Sequence, residues 1–171
     1  MARVDWRRRS RGNLRALALA FGAAMGSMPS ALMAQEVLSV SYEKAPQAAQ
    51  VLGLADLDKL RQLEFETSTP WTHGIKTFSG PPLSEVLASA GIRAERFRLV
   101  ALNDYSAEIR MDEMGTDYPI VATRIDGQII PVRTNGPFWI IFPYDAGAEY
   151  RTEMPLSQSV WQLVSILAMQ N

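Results

Sequence analysis

The chain contains no cysteine and a single histidine in 171 residues. Without cysteine there is no disulfide, thiolate nucleophile, zinc–cysteine site or iron–sulfur cluster. The lone His73 builds no metal site without carboxylate help, and no His-x-x-Glu spacing is present. No basic run follows Arg15, so nothing in the later sequence is suited to nucleic acid or to an anionic membrane face. No Ser-His-Asp ordering, glycine-rich phosphate loop or paired-carboxylate motif stands out, so no catalytic residue and no metal ligand is assigned. Internal repeats and low-complexity segments are also missing. The one uncharged apolar run near the start, residues 16–25, falls well short of the roughly 20 residues needed to cross a bilayer.

That run is instead the middle of an expected secretory signal peptide over residues 1–34. Arg7, Arg8, Arg9, Arg11 and Arg15 form its basic beginning, and Ala31-Leu32-Met33-Ala34 offers a small-residue cleavage site. A retained membrane anchor is the alternative. Arg8-Arg9 is a twin pair without the usual flanking serine and aromatic, which favours ordinary unfolded export. Residues 1–34 carry six Arg and one Asp, a charge of +5. Residues 35–171 keep 11 Lys and Arg against 17 Asp and Glu, a charge of −6. The expectation is a periplasmic, acidic domain with no membrane span after cleavage and no nucleic-acid partner. Its length suffices for a core without disulfide staples.

Along that domain, residues 36–41 alternate apolar and polar and predict a half-buried strand. Residues 42–50 read as a loop. Leu54, Leu57 and Leu60 share one face of a short helix, and residues 63–68 return to strand alternation. The loop Thr69-Pro70-Trp71-Thr72-His73-Gly74 precedes a strand at 75–79, stopped by Gly80-Pro81-Pro82. Leu83, Val86, Leu87 and Ala90 then make a full helical stripe, with Glu85 in its first turn, Pro82 at the first helical position and Gly91 past its end. Residues 96–102 predict a strand, 103–106 a turn, 107–110 a returning strand and 111–114 a helical turn. Asp126-Gly127 predicts a two-residue hairpin between 120–125 and 128–130. Residues 138–142 are wholly apolar and predict a doubly buried strand. Residues 148–156 read as a surface excursion, 157–160 as one helical turn and 161–167 as a closing strand. Strands outnumber helices without regular interleaving, so the fold class is α+β, with a mixed, mainly β-sheet core and a few short helices.

Three segments carry a resemblance. They are Thr69-Pro70-Trp71 with Phe78 to Gly91; Leu99-Val100-Ala101-Leu102-Asn103-Asp104-Tyr105-Ser106; and Ile120 to Thr123, Asp126-Gly127, Pro131-Val132-Arg133 and Gly136 to Pro143. Together they resemble the oxidoreductase molybdopterin-binding domain, the fold of sulfite oxidases and of the periplasmic protein-methionine-sulfoxide reductase catalytic subunit, and are most similar to its short exported members. The resemblance implies a sulfite oxidase-like molybdopterin-binding fold and molybdopterin as the cofactor. In the catalytic family a cysteine just upstream of the tryptophan segment supplies a thiolate to molybdenum. Here Ser68 or Thr69 lies nearest that place, and a hydroxyl is a poor substitute for a soft thiolate. Arg110, Arg124 and Arg133 are the anion contacts that the resemblance leaves for a pterin phosphate.

The candidate ligand-binding residues are Trp71, His73, Asn103, Tyr105, Arg133 and Tyr144. Trp71, Trp139, Tyr144 and Trp161 all read as core or core-edge aromatics. Trp71 and Tyr144, each beside a proline turn and not in a continuous strand, are the two that would line a pocket. His73 sits in a polar loop, as a ligand contact or an exposed residue. Asn103 to Ser106 end an apolar strand, as a site or as ordinary turn chemistry. Arg133 follows the hairpin, as a bidentate grip on an anion or as a solvated side chain. The expected function is a protein of this fold without molybdenum catalysis and with no cofactor of its own. It would bind a small anionic or polar ligand, or dock on a membrane sensor or redox partner. The alternatives are a molybdopterin-dependent oxidoreductase with a non-cysteine metal site and a purely structural interaction module.

Overall fold

A computed structural model describes residues 36–170, and the expected signal segment lies outside the described residues. The chain enters as β1 (Val37–Tyr42) and turns directly back as β2 (Ala45–Gly53), paired antiparallel to it. Residues 42–50 are therefore mostly strand and not the expected loop. Pro46 and the exposed Ala and Gln residues give weak strand propensity, and pairing with β1 overrides it. β2 is an edge strand, the place where a proline is tolerated.

A short α1 (Leu54–Leu57) leads to β3 (Leu63–Ser68) and β4 (Ile75–Gly80), an antiparallel pair whose connecting loop holds Trp71 and His73. α2 (Leu83–Ser89) buries Leu83, Val86 and Leu87, a burial worth about 1.5–3 kcal/mol per side chain. Pro82 precedes the helix as its cap and is not its first residue. At the other end the Gly91 N–H reaches the Ala88 carbonyl and the Ile92 N–H reaches the Leu87 carbonyl. This Schellman closure needs the positive φ of +68° that Gly91 adopts.

β5 (Arg96–Ala101) and β6 (Ser106–Arg110) follow as a hairpin. The expected 120–125 strand divides at Thr123 into β7 (Ile120–Ala122) and β8 (Arg124–Ile125). Thr123 is fully buried and its N–H goes to the Ser79 carbonyl at 2.9 Å, so the chain changes sheet there. The Asp126-Gly127 turn forms as expected, with φ of +51° and +75°, and β9 (Gln128–Ile129) returns beside β8. β10 (Trp139–Ile141) is buried on both faces. α3 (Glu153–Ser157) lies earlier than the helical turn expected at 157–160. The closing strand, β11 (Leu163–Met169), begins two residues later than expected, because Gln162 takes a positive φ of +51°.

These strands form a five-stranded sheet ordered β2-β1-β11-β5-β6, a four-stranded sheet ordered β3-β4-β8-β9 and the pair β10-β7. Within the large sheet only β1 and β11 run parallel. Alternate residues of β1, β5 and β11 enter a core that also takes Phe78 from β4, the apolar stripe of α2 and all of β7 and β10. The class is mixed α+β, mainly sheet, as expected.

Candidate functional site

β3 ends at Ser68, and the backbone beyond it is held by residues from far along the chain. The buried Thr67 hydroxyl accepts the Asp145 N–H at 3.1 Å. The Asp145 carboxylate in turn accepts the Ser68 N–H at 2.6 Å and the Ser68 hydroxyl at 3.1 Å. Arg151 donates Nη2 to Asp145 at 3.2 Å and Nε to the Tyr144 carbonyl at 2.9 Å. Ser68, Tyr144, Asp145 and Arg151, with Thr69, Pro70 and Leu156, line an open hollow of about 420 Å³. The backbone N–H and the hydroxyl of Ser68 hold the Asp145 carboxyl below its ordinary range, with Arg151 acting in the same direction.

Thr69 stabilises the loop from inside. Its hydroxyl accepts the N–H groups of Trp71 and Thr72 at 3.1 and 3.0 Å and bonds the Thr72 hydroxyl at 2.8 Å. Trp71 is thereby seated among Trp139, Tyr144 and Trp161, with ring centres 6.0, 6.3 and 5.5 Å away. Tyr105 covers this cluster from outside, stacked on Trp161 at 6.2 Å, with its hydroxyl donating to the Ser157 carbonyl. Three of the sequence candidates, Trp71, Tyr105 and Tyr144, thus belong to one aromatic group beside the hollow.

The Tyr144 phenol bonds the Ser159 hydroxyl, which itself donates to the Pro155 carbonyl at 2.8 Å. Ser159 has one proton to give, so Tyr144 is the donor of that pair. Burial pushes the phenol up to about 12 from an ordinary 10.0. Because the folded value lies above the unfolded one, the contribution is complete below pH 10 and is lost as pH rises towards 12. Urea unfolding at rising pH should show a loss of about 2–3 kcal/mol across that window that Tyr144→Phe does not share.

The other candidates lie elsewhere. His73 is exposed beside Gly74. Asn103 accepts the Tyr105 N–H at 3.2 Å, ordinary turn chemistry. Arg110 is closed by Asp112 through two bonds of 2.8 and 2.7 Å, and Arg124 by Asp58 through two of 2.6 and 2.8 Å. Each partner carboxylate raises its arginine's pKa. Arg110 stands on the edge strand of the large sheet, Arg124 in the four-stranded sheet, and Arg133 is exposed in the loop after β9. Asp145 and Arg151 were missed from sequence. Asp145 is 77 residues from Ser68 and reads as part of a strand exit, and Arg151 falls in a surface excursion.

Among solved structures the chain is similar to the sulfane dehydrogenase SoxCD from Paracoccus pantotrophus, with a TM-score of 0.56 at 14% identity. The likeness covers 80% of this chain and 38% of the dehydrogenase chain. Over the matched part the chain shares the fold of that dehydrogenase. No protein-family model and no curated protein sequence matches the chain.

A molybdenum held by a thiolate, as the resemblance in sequence implies, does not suit the residues at this place. Ser68 Oγ is committed to Asp145 and Thr69 Oγ1 to its own loop. Both are hard hydroxyl donors where a soft thiolate is needed. Among the described residues no group of three or more His, Asp or Glu stands together as a metal site. Among them, too, no helix is long and apolar enough to cross a membrane.

Proposed function

We propose that the protein is a periplasmic accessory protein that binds a small polar or anionic ligand in the hollow beside Ser68 and serves a membrane sensor or a redox partner, without molybdenum catalysis. The observation that carries this reading is the donor set. The hydroxyls nearest the thiolate's expected place are already hydrogen-bonded, and an ion pair, Asp145 with Arg151, lines the same hollow. The volume, about 420 Å³, lies within the range of small-molecule sites. Tyr144, which lines the hollow, belongs to the aromatic group around Trp71.

The rival reading, a molybdopterin-dependent oxidoreductase with a non-cysteine metal site, calls on Arg110, Arg124 and Arg133 for the pterin. Two of those arginines, Arg110 and Arg124, stand on different sheets and are already closed by carboxylates. Native mass spectrometry of protein taken from its own periplasm is expected to show a retained small molecule and no pterin. Stoichiometric molybdenum by elemental analysis, after incubation with molybdopterin and molybdate, would reject the proposal.

A further inference from the structure

We infer that the hollow takes a zwitterion, a molecule carrying an ammonium and a carboxylate on adjacent carbons or on the same one, with the carboxylate on Arg151 and the ammonium on Asp145. This rests on the ligand-binding reading above and narrows it. The two charges of the site are adjacent and opposite, with Arg151 Nη2 at 3.2 Å from Asp145 Oδ1. A simple anion attracted by Arg151 meets the Asp145 carboxylate, and a simple cation attracted by Asp145 meets the guanidinium. A ligand that carries both charges answers each in turn.

Both side chains keep unused capacity. Arg151 spends Nε on the Tyr144 carbonyl and Nη2 on Asp145, while Nη1 has no protein partner among the described residues. Asp145 takes two donors on Oδ1 and one on Oδ2, against the roughly four that a carboxylate accepts, so Oδ2 has room for one more. The pair is also accessible, with Arg151 62% and Asp145 34% exposed. Arg110 and Arg124 are each met by a carboxylate through two bonds, whereas Arg151 meets Asp145 through one. A single exposed bond of this kind contributes little to stability, so a ligand can share the pair. Pro70 and Leu156 add apolar lining, which suits a zwitterion with a short aliphatic side chain.

The probes are the standard protein amino acids, titrated by calorimetry up to about 10 mM. For an aliphatic binder such as leucine, the two half-molecules follow: 4-methylpentanoate, which lacks the ammonium, and 3-methylbutylamine, which lacks the carboxylate. At least one amino acid is expected to bind, with each half-molecule weaker by about tenfold or more. Arg151→Gln should weaken the amino acid to the level of the amine, and Asp145→Asn to the level of the carboxylate. The half-molecule comparison needs only the unaltered protein, so it stands even if a variant misfolds. If 4-methylpentanoate binds as tightly as leucine, the zwitterion inference is overturned while the hollow remains a ligand site. If no amino acid binds, the inference is likewise overturned, and the retained molecule found by native mass spectrometry decides the broader reading separately.

Discussion

Gly80→Ala is expected to lower stability by about 3 kcal/mol or more, enough to leave a large unfolded population in mild urea. A Cβ on Gly80 would stand 2.0 Å from the Val121 carbonyl oxygen and 2.9 Å from the Ala122 Cα. Those are backbone atoms, so no side chain can swing aside. The contact joins the end of β4 to β7, and the Val121 N–H is fixed to the Pro81 carbonyl at 2.8 Å in the same place. Relief would require separating β4 from β7, and with it the seat of α2, whose first N–H reaches the Pro119 carbonyl. Gly127→Ala is the control. Gly127 has a positive φ of +75° but open space around it, so the loss there is the left-handed backbone cost of about 1–2 kcal/mol. Urea midpoints for the two variants, followed by circular dichroism, should differ in that order. An equal loss would mean that β4 and β7 do not approach as closely as described.

Much of this arrangement could be read from the chain because local and tertiary preferences agree. The stripe from Leu83 to Ala90, closed by Gly91, yields α2 because the residues that favour a helix are also those the core needs. Residues 63–68 and the Asp126-Gly127 turn come out as expected for the same reason. β2 was illegible because an exposed edge strand of Ala, Pro and Gln has no face to alternate. The division at Thr123 was illegible because both halves are good strand sequence, and only the pairing of β7 with β10 and of β8 with β4 separates them.

The site divides in the same way. Trp71 and Tyr144 stood out as aromatics beside proline turns and Tyr105 as part of a polar strand end; Trp71 meets Tyr144 and Trp161, and Tyr105 stacks on Trp161. Ser68 stood out only through the resemblance. Asp145 and Arg151 left no signal at all, since an acid after a strand and an arginine in a short turn are common. Their significance comes from a contact that spans 77 residues.

Trp139 offers the last test, because its ring and its nitrogen make opposite contributions. The side chain is fully buried, edge-on to Phe78 at 5.5 Å and beside Trp71 at 6.0 Å. Trp139→Ala is expected to lose about 3–5 kcal/mol through the cavity it leaves. Trp71 would also lose its ring contact with Trp139. Trp139 Nε1, however, is a buried donor without a hydrogen-bond partner among the described residues. Such a donor forfeits about 1–3 kcal/mol relative to water. Trp139→Phe keeps most of the packing and removes the orphaned N–H, so the two effects offset and the net loss should stay below about 1.5 kcal/mol. Urea unfolding of both variants separates the contributions. A phenylalanine variant as unstable as the alanine one would mean that Nε1 is hydrogen-bonded after all, to a water or a ligand seated against the tryptophan cluster, and the site would extend inward from Asp145 to β10.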